Sequence, residues 1–138
     1  FGEERLSRKI ARRLIAMRNR TKLVSAKDIA GVIYGCYPNP RKQKIHPATR
    51  TFQALRIAVN QELKSLEIAL RRLPESLRVG GIFSIISFHS LEDRRVKQAF
   101  RDDTRLEVLT KKPLTASDAE LHRNPRSRSA KLRVARRL

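Results

Sequence analysis

The chain has 138 residues, with 32 lysines and arginines against 13 aspartates and glutamates, a formal net charge of +19. Its 40% hydrophobic content indicates a folded protein rather than a disordered tail, and the excess positive charge predicts a polyanionic partner, with nucleic acid ahead of a membrane surface. The single cysteine, Cys36, excludes an internal disulfide and a cysteine-rich zinc site.

The amino-terminal region is predicted to be helical. Apolar residues recur at helical spacing from Leu6 to Met17, and lysines and arginines fill many of the other positions, which predicts an amphipathic helix with a cationic face. Ser25, followed three residues later by Asp28, has the capping-box pattern and predicts a second, short helix that runs through Ile33.

The longest predicted helix follows a proline-marked loop. Its apolar residues recur every three or four positions from Phe52 to Leu73, which predicts one continuous, core-facing helix that ends at Pro74. Pro47 suits the first turn of a helix, and His46 or a neighbouring residue is expected to cap it.

The region after residue 80 is predicted to contain two or three strands. The apolar run "IFSIISF", residues 82–88, favours a strand that is buried on both faces, as in a parallel sheet. Further along, "RLEVLT" predicts a weak strand and "AKLRVARRL" a final strand. A sheet this small leaves strand edges unpaired, so the sheet is expected to be incomplete.

Two helices are predicted between these strands. Ser90 and Asp93 have capping-box spacing, and they predict a helix from Leu91 to about Phe100. The segment "TASDAELHR" predicts a short helix capped by Thr115 or Ser117. The change from helices to a strand–helix–strand pattern near residue 74 predicts two parts, a helical lobe at 1–73 and part of an α/β sheet at 74–138.

The turn at residues 88–90 is a candidate ligand site. If residues 82–88 form a parallel strand, His89 lies at its carboxyl end, where open α/β sheets bind ligands, beside a helix N-terminus that favours an anion. His89 is then expected to bind substrate, orient a phosphate or act as a base. Alternatively, His89 hydrogen-bonds the backbone to fix the turn, while Ser90 caps the helix.

The loop "RKQKIHPATR", residues 41–50, is a candidate phosphate-binding segment. Its cations suit contact with RNA phosphates, Thr49 and Thr51 offer hydroxyl groups, and Tyr34 or Tyr37 is placed to stack on a base. The alternative is a solvated loop whose charges bind nothing specific. The carboxyl-terminal segment "NPRSRSAKLRVARRL" contains no acidic residue, so it predicts either backbone-phosphate binding or a simple turn into the last strand.

Several kinds of site are missing from the sequence. It contains no glycine-rich phosphate loop, no convincing metal-ligand set and no legible catalytic triad. No apolar run approaches the roughly 18 residues that a membrane-spanning helix needs. Composition and spacing alone therefore predict a basic α/β protein that binds RNA.

Five blocks of the sequence nevertheless resemble one family in content and in order. They are "FGEERLSRKIARRL", "KIHPATRTFQALRIAVNQEL", "GGIFSIISFHSLEDRRVKQAF", "LTKKPLTAS" and "NPRSRSAKLRVARR", and they resemble the MraW/RsmH methyltransferases, which use S-adenosyl-L-methionine (AdoMet) to methylate N4 of a cytidine in small-subunit ribosomal RNA. The resemblance implies a class I methyltransferase fold, a Rossmann-like sheet with an inserted helical substrate-recognition domain, of which this chain is the carboxyl-terminal part.

The resemblance also implies what the chain lacks. The family's glycine-rich AdoMet loop, ribose-binding acidic residue and active-site strand match a region before Phe1, so no cofactor-binding or catalytic residue is assigned here. The chain alone is expected to be inactive, and a missing N-terminal half or a partner is expected to complete its sheet. The expected partners are ribosomal RNA and the small ribosomal subunit, in a bacterial cytoplasm or an organelle matrix.

The residues predicted to hold RNA are Lys44, His46, Arg50, Arg56, His89, Arg94, Arg126 and Arg128. Those at 44–56 and at 88–90 are expected to converge on one groove that receives the ribose-phosphate chain. Two alternatives remain open: a non-catalytic RNA-binding or ribosome-assembly protein derived from the methyltransferase, and a DNA-binding module that uses Ser25–Ile33 in a helix-turn-helix.

Overall fold

A computed structural model of the protein describes residues 3–20 and 25–138. The chain divides between Gln61 and Glu62 into two compact units, and each unit has its own hydrophobic core. Among the described residues, no helix is both long enough and apolar enough to cross a membrane.

Three α-helices lie in the described residues of the first unit. These are α1 (Ser7–Arg20), α2 (Ala26–Tyr34) and α3 (Ala48–Asn60), with a short 3-10 turn at Pro40–Lys42 before α3. The predicted capping box is confirmed, because Ser25 Oγ accepts the Asp28 N–H at 3.2 Å and Asp28 Oδ2 accepts the Ser25 N–H at 2.9 Å. Ile10 and Ile33 meet in the core, with Ala48 at the start of α3.

The prediction of one long helix to Leu73 is wrong. α3 ends at Asn60, and a new helix, α4 (Glu62–Ser76), begins after Gln61, whose φ of 51° and ψ of 34° lie in the left-handed region. The apolar stripe does not face one core, since Val59 is 79% exposed. Pro74 lies inside α4 rather than ending it, and so close to the helix end its missing N–H removes only one helical hydrogen bond.

The second unit combines a small sheet with helices. After α4 come β1 (Ile82–Ser87), α5 (Ser90–Asp102), β2 (Leu106–Val108), α6 (Asp118–Arg123), a 3-10 turn at Pro125–Ser129 and β3 (Lys131–Arg137). The predicted strands and helices of this region are confirmed, and Ser117 is the cap of α6. The division between units thus falls before α4, earlier in the chain than the predicted boundary at residue 73.

The sheet is antiparallel, which corrects the expectation of a parallel, doubly buried strand. Its strand order is β1-β3-β2, and both neighbours run antiparallel to the central β3. Along β1 the burial alternates: Phe83 is 7% exposed, whereas Ile82 and Ile86 are 54% and 58% exposed. A run that is apolar at nearly every position carries no period-2 signal, so its sequence could not distinguish one buried face from two.

The core of the second unit lies between the sheet and its helices. Phe83 of β1 and Phe100 of α5 have ring centroids 5.3 Å apart, and the cluster also contains Leu70 of α4, Val96 of α5, Leu106 of β2 and Ala135 of β3. Burial of a large apolar side chain contributes about 1.5–3 kcal/mol. This packing anchors β1, which leads into the turn that carries His89.

Candidate nucleic-acid interface

A cationic cleft of about 380 Å³ opens in the first unit at the start of α3. Its lining residues are Glu4, Arg5, Leu6, Tyr37, Gln43, Ile45, His46, Pro47 and Arg50. The cleft brings together His46 and Arg50, which the sequence predicted, with Arg5, which it did not. No local signal joins Arg5 to this loop, because only the packing of α1 brings the amino-terminal segment there.

His46 precedes Pro47, the N-cap residue of α3, at which no side-chain cap hydrogen bond forms, and His46 instead bonds to the backbone that follows it. Its Nδ1 accepts the Ala48 N–H at 3.2 Å, and its carbonyl accepts the Thr49 N–H at 3.0 Å. A neutral ring whose Nδ1 accepts a hydrogen bond carries its hydrogen on Nε2, so His46 presents a donor. That donor, the Arg50 guanidinium and the positive end of the α3 dipole all favour an anion in the cleft.

Tyr37 forms one wall of the cleft, and its hydroxyl donates to Glu4 Oε2 at 2.6 Å. Burial, followed by this bond to Glu4, raises the pKa of Tyr37 to about 12. Glu4 Oε1 also accepts the Leu6 N–H at 2.8 Å. Among the described residues lining the cleft, Glu4 alone is acidic, and these two bonds hold its carboxylate in place.

The other predicted residues of this segment differ in their exposure. Lys44 and Arg56 are exposed, as a phosphate contact requires. Thr51 is 9% exposed and its hydroxyl oxygen is buried, so the expectation that it donates to a phosphate is wrong. The Tyr34 ring lies 6.2 Å from that of His46, next to the cap of α3.

The turn before α5 is capped by His89, which corrects the predicted Ser90–Asp93 box. The backbone is still extended at His89, with φ −144° and ψ 163°, so the helix begins after it and His89 Nδ1 accepts the Glu92 N–H at 3.3 Å. Glu92 Oε2 in turn accepts the Phe88 N–H at 3.0 Å. His89 therefore fixes the turn, in agreement with the alternative prediction that it hydrogen-bonds the backbone there.

Asp93 has a different role from the predicted cap. Arg133 Nε donates to its Oδ1 at 2.7 Å, and Lys131 Nζ lies 3.6 Å from its Oδ2. The hydrogen bond from Arg133, followed by the charges of Arg133 and Lys131, lowers the pKa of Asp93 against the opposing effect of burial. This pair joins α5 to β3 behind the turn.

The remaining predicted cations lie on the surface of the second unit. Arg94 is exposed on α5, and Arg126 and Arg128 are exposed on the 3-10 turn before β3. Ser127 between them is 5% exposed, and its hydroxyl donates to the Asn124 carbonyl at 2.7 Å. In this turn the serine side chain is therefore buried and the two arginine side chains are exposed to solvent. Since segments 44–56 and 88–90 belong to different units, their convergence on one groove stays a prediction.

Comparison with known proteins identifies the family. The MraW methylase family model matches residues 1–138. The chain is 58% identical over 137 residues to the ribosomal RNA small subunit methyltransferase H of Prochlorococcus marinus strain AS9601, covering 98% of this chain and 46% of that protein. It is 54% identical over 139 residues to the protein of that name from Rhodopirellula baltica, covering 100% of this chain and 43% of the relative. The chain therefore spans about half the length of these relatives, and it belongs to the MraW methylase family.

Proposed function

We propose that this chain is the carboxyl-terminal, RNA-gripping part of an enzyme that transfers a methyl group from AdoMet to N4 of a cytidine in small-subunit ribosomal RNA. The family match and the name of the relatives support methylation of small-subunit ribosomal RNA. The observation that carries the role of this part is the cationic cleft at the start of α3.

In this proposal the cleft grips the RNA backbone. Arg5 and Arg50 offer guanidinium groups to a phosphate. His46 offers the N–H of Nε2, because its Nδ1 already accepts the Ala48 N–H. Lys44 adds charge at the exposed loop. Such contacts carry no sequence information, so they supply affinity and register while another surface reads the base.

The second unit would extend this grip. Arg94, Arg126 and Arg128 are exposed cations of that unit, and we propose that they, like Arg56 of the first unit, contact RNA phosphates. In the complete enzyme these contacts would align the cytidine amine with the methyl donor, and such alignment accounts for a large share of the rate in many transfer reactions.

We expect the AdoMet site to lie outside this part of the enzyme. The paired glycines precede β1 instead of following a strand, and both are required by the local backbone. Gly80 has a positive φ of 79°, and its N–H donates to the Arg137 carbonyl at 2.8 Å. A Cβ on Gly81 would lie 2.8 Å from the Arg78 carbonyl oxygen. We propose that the remaining length of the enzyme supplies the AdoMet site, the catalytic groups and the strands of a Rossmann-like sheet.

The free edge of β1 supports this division. Within the described chain β1 pairs only with β3, and its outer face carries exposed Ile82 and Ile86. An exposed apolar strand edge is a liability that folded proteins cover. Further strands beside β1, from the rest of the enzyme or from a partner, would cover it.

A non-catalytic RNA-binding or ribosome-assembly protein is the second candidate, favoured by the absence of a glycine-rich phosphate loop from the sequence. The intact mass of the protein in its source distinguishes the two, because the enzyme requires a chain about twice this length. Saturable calorimetric binding of AdoMet to the 138-residue chain would contradict both candidates.

Photochemical cross-linking tests where the RNA lies. A single-stranded fragment of small-subunit ribosomal RNA carrying thiouridine is expected to cross-link to peptides that contain Tyr37 or residues 41–50. Arg50→Glu should reduce these cross-links, whereas Arg13→Glu, the same change at an exposed position outside the cleft lining, should leave them unchanged. Cross-links that avoid both peptides, or that respond equally to the two variants, would contradict the proposed grip.

A further inference from the structure

A compact cluster of three side chains lies at the start of α5. Glu62, the first residue of α4, and His89 and Glu92 of the α5 turn each offer one ligand atom, and these atoms lie within 4.8 Å of one another. All three residues belong to the second unit. The cluster places two carboxylates beside an imidazole in a chain that is otherwise strongly cationic.

The imidazole of His89 contains an unsatisfied donor. Its side chain is 9% exposed, and among the described residues its Nε2 is buried without a hydrogen-bond partner. Glu92 Oε1 lies 3.3 Å away, but it lacks the alignment of a hydrogen bond. Because Nδ1 accepts the Glu92 N–H, the neutral ring carries its hydrogen on Nε2. A buried donor without an acceptor is costly.

This arrangement disfavours two ligands that the residue types suggest. A metal ion at Nε2 needs the lone pair of that nitrogen, but the cap of α5 requires the hydrogen to be there. A phosphate would meet two carboxylates within 4.8 Å of the imidazole nitrogen, and it would be repelled because its charge has the same sign as theirs. The cluster instead offers one donor and two acceptors, all on side chains.

We propose that Glu62, His89 and Glu92 bind the edge of a nucleobase in which an amino group lies beside an unprotonated ring nitrogen, as in cytosine and adenine. The ring nitrogen would accept from His89 Nε2, and the amino group would donate to the carboxylates. With contacts of about 2.7–3.2 Å, neighbouring atoms of one planar edge can reach partners that lie this close together.

Two further features support a base at this position. Phe88, next to His89, is 55% exposed and available for stacking on a base. Glu92 is 24% exposed against 9% for His89, so the carboxylate lies nearer solvent and a base would approach Nε2 from that side. This inference rests on the proposed function, to which it adds the residues that read the target base.

Mononucleotide binding to the full chain tests the proposal. CMP and UMP carry the same ribose and phosphate, but UMP presents the opposite pattern, a carbonyl oxygen beside a ring N–H. We expect CMP to bind about tenfold more tightly than UMP, the discrimination of a good two-point base contact, and AMP to bind better than UMP. Nuclear magnetic resonance of the labelled histidine ring should show the Nε2–H form, with CMP shifting its resonance.

Variants separate recognition from capping. His89→Asn keeps a good N-cap acceptor but removes the Nε2 donor, so it should abolish the preference for CMP without changing the melting temperature, whereas His89→Ala should lower both. Glu62→Gln should also reduce the preference. Glu107→Gln, the same substitution at a half-exposed residue of β2 paired with Arg136, is the matched control and should bind as the parent protein does.

Three results would overturn the proposal: equal affinity for CMP and UMP, a ring hydrogen on Nδ1 in the free protein, or saturable Zn²⁺ binding that Glu62→Gln removes. The last would assign the cluster to a metal. If CMP and UMP bind equally while RNA still cross-links at residues 41–50, the base-reading inference fails and the proposed grip stands. If those cross-links are also missing, both fail.

Discussion

The ion pair between Arg133 and Asp93 is nearly buried, with side chains 7% and 13% exposed. Removing one partner of a buried pair leaves an uncompensated charge and costs about 3–5 kcal/mol, so Arg133→Met is expected to destabilise the second unit by about 3 kcal/mol, since Lys131 still faces Asp93. Arg136→Met is the control on the same strand. Its pair with Glu107 is 48% and 50% exposed and should cost less than about 1 kcal/mol. Similar losses in denaturant unfolding would contradict this account.

The same pair predicts a response to acid. The pKa of Asp93 is lower in the folded state than in the unfolded chain, so its stabilising contribution is complete above the ordinary aspartate pKa of about 4 and is lost as the pH falls below it. Urea unfolding from pH 7 to pH 3 should show a steeper acid loss in the parent protein than in Asp93→Asn. Parallel curves would be incompatible with a lowered pKa at this residue.

Tyr37 predicts a response at the alkaline end. Its pKa is raised to about 12, above the value of about 10 in an unfolded chain. The folded state then binds more protons between these values, so stability is present below about pH 10 and declines as the pH rises toward 12. Tyr37→Phe should remove this part of the decline, and the difference in tyrosinate absorbance between parent and variant should titrate near 12. A midpoint near 10 would contradict both the burial of Tyr37 and its bond to Glu4.

Of the two capping-box patterns in the sequence, one forms in the structure and the other does not. Ser25 and Asp28 cap α2 as predicted, because the two capping bonds join residues only three positions apart in the chain. Asp93 instead binds Arg133, forty positions along the chain, and His89 becomes the cap. Local spacing identifies the helix start to within a residue, but it carries no information on such a distant partner.

At the scale of elements, the break at Gln61 distinguishes the observed helices from the continuous helix that the spacing predicts. A left-handed residue other than glycine costs roughly 1 kcal/mol, so Gln61→Gly is expected to be neutral or to stabilise the protein, and Gln61→Ile to destabilise it. In a continuous helix the order reverses, because glycine in a helix interior costs about 1 kcal/mol. The order of the melting temperatures of the two variants distinguishes the broken helix from the continuous one.

The long apolar stripe could not predict this break, since Phe52 and Leu70 keep helical spacing on either side of it while belonging to different cores. The order of elements was predictable from periodicity, as α5, β2 and β3 indicate. The direction of the strands was not, because β1 is apolar at most positions and its pairing with β3 joins segments about fifty residues apart.

At the scale of the whole molecule, the net charge of +19 predicts a polyanionic partner but does not locate its site. His46 and Arg50 were predictable from a basic segment before an amphipathic helix. Arg5 and Glu4 join them in the cleft only through the packing of α1, which no local pattern encodes. The sequence therefore predicts only some of the residues that line the cleft.

The salt dependence of RNA affinity tests the central claim, the backbone grip by the first unit, most directly. Each phosphate contact adds about 0.7 to the slope of log affinity against log salt for a single strand, so Lys44→Glu should weaken binding and lower the slope by roughly 1. Lys27→Glu, the same reversal at an exposed position of α2 outside the basic loop at 41–50, should change the slope far less. Equal slopes for the two variants would contradict the claim.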